Sequence, residues 1–116
     1  MKKDFQPCIE DILESISKIE AYTKGIELDE FLNNTERQDA VLRRLEIIGE
    51  AVKKIPDEIR MQYNEIPWKQ IAVMRDMLIH EYSGVSLERV WKVLSTDLQP
   101  LKNTSAKILD VLRHKD

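Results

Sequence analysis

The chain has 116 residues, of which 42% are hydrophobic, enough for one modest core without disulfide or metal staples. Three glycines and four prolines, against many Leu, Ile, Glu, Lys and Arg residues, favour helix over loop or disorder. A net charge of -3 and a pI near 5.5 leave no bulk nucleic-acid signature, although a local basic patch stays open. The single Cys8 excludes an intramolecular disulfide and a multi-cysteine metal site, and suits a reducing cytoplasm. The opening Met1-Lys2-Lys3-Asp4 is not followed by an apolar run of the signal-peptide kind, and no run is long enough for a membrane span. The expectation is one cytoplasmic domain over residues 1–116.

In chain order, Ile9, Ile12, Leu13, Ile16, Ile19 and Ala21 recur at helical steps, predicting a first helix over 4–24 with Gly25 as its left-handed stop. Leu28 to Asn33 fits a short further turn, pinned by Phe31 and Leu32. Thr35 and Gln38 form a potential capping box for a second long helix over 35–55. Its apolar stripe is Ala40, Val41, Leu45, Ile48, Ala51, Val52 and Ile55. Gly49 lies in mid-helix, where it costs about 1 kcal/mol relative to Ala. Close approach of another helix would account for it.

Pro56-Asp57-Glu58 opens a short third helix, fading at Asn64. Pro67, at a first helical position, starts a fourth helix from Trp68 to about Tyr82, and Ser83-Gly84 ends it. Ser86 caps a fifth, carrying Leu87, Val90, Trp91, Leu94 and Leu98, which Pro100 kinks or restarts. No strand-like alternation and no repeat occurs. The pattern predicts an all-α, up-down bundle of about four to five helices with a kinked C-terminal helix.

On a helical wheel the fourth helix places Arg75 amid Trp68, Ile71, Leu78, Ile79 and Tyr82. A guanidinium there cannot be neutralised and needs a carboxylate, carbonyls or a phosphate. Glu46 and Glu50 are the nearest plausible partners, and on physics alone a structural ion pair is the better reading. His80 falls about 140° from Arg75 around the wheel. It is either a helix C-terminal histidine favoured by the dipole or a proton donor and acceptor. The two side chains converge only if the helix ends near His80 or a second subunit completes the site. Tyr82 returns to the Arg75 side, as a core aromatic, a ligand contact or a modification site.

Arg37, Arg43, Arg44, Lys53 and Lys54 crowd the second helix, as a solvated face rather than an RNA-binding strip. Trp68 and Trp91 fit core packing. There is no glycine-rich phosphate loop, and His80 and His114 lie too far apart for a zinc pattern, so neither cofactor nor metal is expected.

Ile66-Pro67-Trp68-Lys69-Gln70-Ile71, then Met74-Arg75-Asp76 and His80-Glu81-Tyr82, resemble the HepT-like toxin family of HEPN-domain proteins. The family's motif is an arginine, four to six residues, a histidine, one residue and a tyrosine. It fits here as Arg75, His80 and Tyr82, with Asp76 as the polar residue after the arginine. Leu45-Glu46-Ile47-Ile48-Gly49-Glu50-Ala51 looks like a second family signature.

The resemblance covers most of the chain, about residues 5 to 112. It implies a HEPN bundle and a homodimer with the motif facing a cleft between subunits. It implies a metal-independent endoribonuclease toxin with Arg75 and His80 catalytic and Asp76 and Glu50 supporting. It also implies a minimal nucleotidyltransferase antitoxin that neutralises the toxin by adding AMP to the motif tyrosine, here Tyr82. The alternative is a non-catalytic helical subunit that docks a nucleotidyltransferase and helps to bind nucleotide or substrate.

Overall fold

The structure, a computed structural model, describes residues 4–80 and 86–114, with the backbone alone for 78–80. Among these residues there are seven helices and no strand. They are α1 (Gln6–Thr23), α2 (Leu28–Leu32), α3 (Thr35–Lys53), α4 (Asp57–Gln62), α5 (Trp68–His80), α6 (Leu87–Thr96) and α7 (Leu98–His114). The all-α reading holds, and the count rises to seven because the short turn at Leu28–Leu32 and the C-terminal run Leu98–His114 each fold as separate helices.

Local chemistry sets most of the boundaries. Gly25 adopts φ +75°, a left-handed turn that a side chain would strain, and α1 stops just before it. A capping box formed by Glu27 and Glu30 opens α2. The box expected at Thr35 and Gln38 does not form. Asn34 is the cap of α3, its side chain accepting from the Arg37 amide at 3.0 Å. Gln38 instead donates to the carbonyls of Phe31 and Leu32 and ties α2 to α3. Pro67 sits one position earlier than expected, just ahead of α5, and its carbonyl accepts from the Ile71 amide. Ser86 caps α6.

Pro100 restarts the chain rather than kinking it. The residue break falls at Asp97, between α6 and α7, and the proline occupies the first turn of α7, where no intrahelical donor is required of it. The kinked C-terminal helix is therefore two helices.

The long helices pack in sequence: α3 lies against both α1 and α5, and α1 also against α7. Ile9, Ile12, Ile16 and Ile19 of α1 and Val41, Leu45, Ile48 and Val52 of α3 are buried together with Leu101, Ile108 and Leu112 of α7. Each aliphatic side chain so buried contributes about 1.5–3 kcal/mol, an upper figure against a real unfolded chain. Ala21, expected on the buried stripe of α1, is exposed. The ring of Phe31 meets that of Trp91, 5.1 Å between centroids and tilted by 39°, which anchors α2 on α6. Trp68 is buried and its indole N–H donates to the Tyr63 carbonyl at 3.0 Å, fixing the entry of α5. No helix among the described residues is long and apolar enough to cross a membrane.

Candidate active site

The site begins with a glycine. A Cβ placed on Gly49 would stand 2.2 Å from the Arg75 Cβ and 2.9 Å from its Cγ. Without a side chain there, α5 approaches α3 closely and the Arg75 stem lies directly on the α3 backbone. The close helix approach expected from a mid-helix glycine is what the fold contains, and the residue that needs it is Arg75.

From that seat the guanidinium reaches the carboxylate one residue past the glycine. Arg75 Nη2 is 2.8 Å from Glu50 Oε1. Of the two glutamates proposed as partners, Glu50 takes the role, while Glu46 pairs with Arg43. Arg75 Nη1 donates to Asp76 Oδ1 at 3.3 Å, and Lys53 Nζ donates to the same oxygen at 2.5 Å. The Lys53 hydrogen bond holds the Asp76 carboxyl below its ordinary range; desolvation opposes it, and the Arg75 hydrogen bond adds to the lowering. The Arg75 side chain is 26% exposed, so the pairs are neither dry nor fully solvated. Its Nε is buried and has no hydrogen-bond partner among the described residues.

Glu50, Lys53, Arg75 and Asp76 thus form one cluster of two cations and two carboxylates across the α3–α5 crossing. Arg75, Asp76 and Glu50 are all brought together there. The backbone of His80 closes α5, but its side chain lies outside the described residues, as does the whole of Tyr82.

A cleft of about 240 Å³ adjoins the cluster, with Cys8 and Asp11 of α1 on one side and Glu50 and Arg75 on the other. Burial raises the Cys8 thiol above its ordinary value, with Lys54 acting in the opposite sense, so the sulfur is a poor nucleophile near neutral pH.

Lys53 is the member that the sequence concealed. It stands among five cations on one helix, and only its spacing from Gly49 and Glu50, four and three residues, signals that it shares their face. Other cations of that group are also engaged. Arg37 donates to the Tyr22 carbonyl near the end of α1, and Arg43 pairs with Glu46. A continuous basic strip along α3 is not what these side chains make.

The HepT-like ribonuclease family matches residues 12–108. A Methanocaldococcus jannaschii protein named "gamma-glutamylcyclotransferase and putative RNase" is 49% identical over 97% of this chain, which spans only 50% of that protein's length. A second protein of the same organism, named as a putative RNase, is 44% identical over 99% of this chain and 95% of its own. A protein of Thermococcus cleftensis named "probable ribonuclease HepT" is 44% identical over 93% of this chain and 98% of its own. No solved structure matches the chain. With a family match across most of its length and relatives well above 30% identity, the chain belongs to the HepT-like ribonuclease family.

Proposed function

We propose that the protein is an endoribonuclease that cleaves RNA by metal-independent transesterification, with Arg75 and His80 as catalytic residues. The observation that carries the reading is the cation built into the α3–α5 crossing. Arg75 is seated on Gly49 and oriented by Glu50 through one nitrogen of its fork, while the other is only loosely engaged. A fixed guanidinium of this kind suits a phosphate whose charge rises in the transition state.

The chemistry requires a proton acceptor for the ribose 2′-hydroxyl and a donor for the departing 5′-oxygen. In this reading His80 accepts the 2′-hydroxyl proton as that oxygen bonds to phosphorus. The bond from phosphorus to the 5′-oxygen then breaks, and an imidazolium protonates the leaving oxygen. The products are a 2′,3′-cyclic phosphate and a 5′-hydroxyl. A two-fold dimer supplies two copies of His80, so in this reading base and acid come from different subunits.

The protein acts as the toxin of a toxin–antitoxin pair. Its partner is a minimal nucleotidyltransferase that attaches AMP to Tyr82, adding bulk and a phosphate charge to the motif. Expression without the partner should arrest growth, and His80→Ala should abolish the arrest. Toxicity that survives His80→Ala would overturn the catalytic role of the histidine.

One observation favours a second reading, a non-catalytic subunit that docks a nucleotidyltransferase. The Arg75 cluster sums to zero charge and the chain as a whole is acidic, so neither draws RNA in from a distance. No RNA cleavage by the purified chain, together with stable binding to a nucleotidyltransferase, would favour that reading.

A further inference from the structure

The two cations on Asp76 are not equivalent. Lys53 Nζ lies 2.5 Å from Asp76 Oδ1, and Arg75 Nη1 lies 3.3 Å from the same oxygen. At the far side of the guanidinium, Nη2 is held at 2.8 Å by Glu50. The fork therefore has one anchored corner and one corner that a phosphate oxygen can claim with little to displace. That asymmetry requires an explanation, because a carboxylate beside an arginine gains most by pairing closely with it. Asp76 Oδ1 lies nearer to the lysine instead.

We propose that Lys53 is a positioning residue for RNA cleavage, drawing the Asp76 carboxylate off Arg75 Nη1 so that this edge of the guanidinium can take a substrate phosphate. The inference rests on the reading of Arg75 as the phosphate-binding group. Lys53 can act in this way because Gly49 and Glu50, on the same face of α3, bring the two helices close enough for its ammonium to reach across to α5. The depressed Asp76 carboxyl, whose first cause is the Lys53 hydrogen bond, accords with a carboxylate that belongs more to the lysine than to the arginine. The lysine's own charge is already satisfied by Asp76. Its role is to manage a competing anion, and it touches no RNA.

The test uses the full chain with Lys53→Met, Lys53→Arg, and Lys53→Met combined with Asp76→Asn. Cleavage of a single-stranded oligoribonucleotide of mixed sequence gives kcat/KM, and thermal unfolding shows that each variant folds. Lys53→Met lowers kcat/KM about tenfold, as the freed carboxylate closes on Nη1. Asp76→Asn in the same chain restores most of the loss, because the competing charge is gone, and Lys53→Arg retains activity. A loss that Asp76→Asn does not restore overturns the proposal, since Lys53 then contacts RNA itself. Unchanged cleavage in Lys53→Met overturns it too.

A second readout needs no activity. In the free protein, nitrogen-15 spectra of the Arg75 guanidinium show slower Nη hydrogen exchange in Lys53→Met and a return toward wild type in the double variant. If the wild-type chain cleaves no RNA, the nuclease reading fails by itself, and the guanidinium signals decide the positioning role. Exchange unaltered by Lys53→Met overturns it.

Discussion

Helix α3 has two working faces, and they are built on opposite principles. Toward α1 it offers branched aliphatic side chains, Val41, Leu45, Ile48 and Val52, all nearly inaccessible to water. Toward α5 it offers no side chain at all at Gly49, then two charged ones, Glu50 and Lys53. The first face gains stability by area removed from water. The second gives up packing to bring an arginine backbone-close and to orient its head group. Solvent-accessible ion pairs add little to stability, about 0–1 kcal/mol each, so the second face contributes less to stability than the first. Substitutions on the two faces should therefore separate stability from activity.

The widest separation is expected from Arg75→Ala and Leu45→Ala. Arg75→Ala should lower RNA cleavage by about 10²–10³-fold, the usual loss on removing a transition-state charge partner. Its unfolding free energy should change by only about 1 kcal/mol, because Glu50 is 46% exposed and water can take over its solvation. Leu45 is 1% exposed, so Leu45→Ala should cost about 2–5 kcal/mol in urea unfolding, with cleavage per folded molecule retained. Equal stability loss in both variants would mean that the two faces are not distinct.

Gly49→Ala joins the two effects in one residue. Its new methyl group meets the Arg75 Cβ, an atom fixed to the α5 backbone, so the helices must part. Overpacking of this kind costs about 1–3 kcal/mol, offset by about 1 kcal/mol of improved helix propensity. A small net destabilisation with a disproportionate fall in cleavage is expected, because Arg75 loses its seat. Urea unfolding and steady-state cleavage on the same preparation measure both.

Much of this was legible beforehand, for reasons of helix geometry. Fixed periodicity put Arg75 on an apolar face, which called for a carboxylate, carbonyls or a phosphate, and put Glu46 and Glu50 within reach. A glycine in mid-helix signalled a close crossing. The choice of Glu50 over Glu46, and the recruitment of Lys53 to Asp76 across 23 positions, depend on where α3 and α5 cross. No local pattern encodes that crossing. The cap at Asn34 is displaced by one residue, and the break at Asp97 by three, from equally good alternatives, Thr35 and Pro100. There local chemistry allowed both and packing chose.

The charged face should also be visible in acid. Asp76 has a folded-state carboxyl pKa lowered first by the Lys53 hydrogen bond, so folding favours its ionised form. The stability it contributes is present above the ordinary value of 3.8 and fades as pH falls through the lower folded value. Urea midpoints followed into acid should therefore fall less steeply for Asp76→Asn than for wild type, and the two curves should converge at the lowest pH. Parallel curves would show that the Lys53–Asp76 pair contributes nothing.

The smallest effect is expected on the apolar side, from a polar atom placed there. Ser15 of α1 is fully buried, and its hydroxyl has no partner among the described residues. An unsatisfied buried hydroxyl has lost its water without replacement, and serine is a poorer helix former than alanine. Ser15→Ala should raise stability by about 0.5–1.5 kcal/mol and leave cleavage unchanged. Arg75 Nε is likewise buried and without a partner, yet it cannot be removed in the same way, because it carries part of the charge that Glu50 orients. These two orphaned atoms differ in charge as well as in the helix that carries them. Destabilisation by Ser15→Ala would mean that an ordered water or a changed packing satisfies the hydroxyl, and that the α1 side is less purely apolar than its side chains make it.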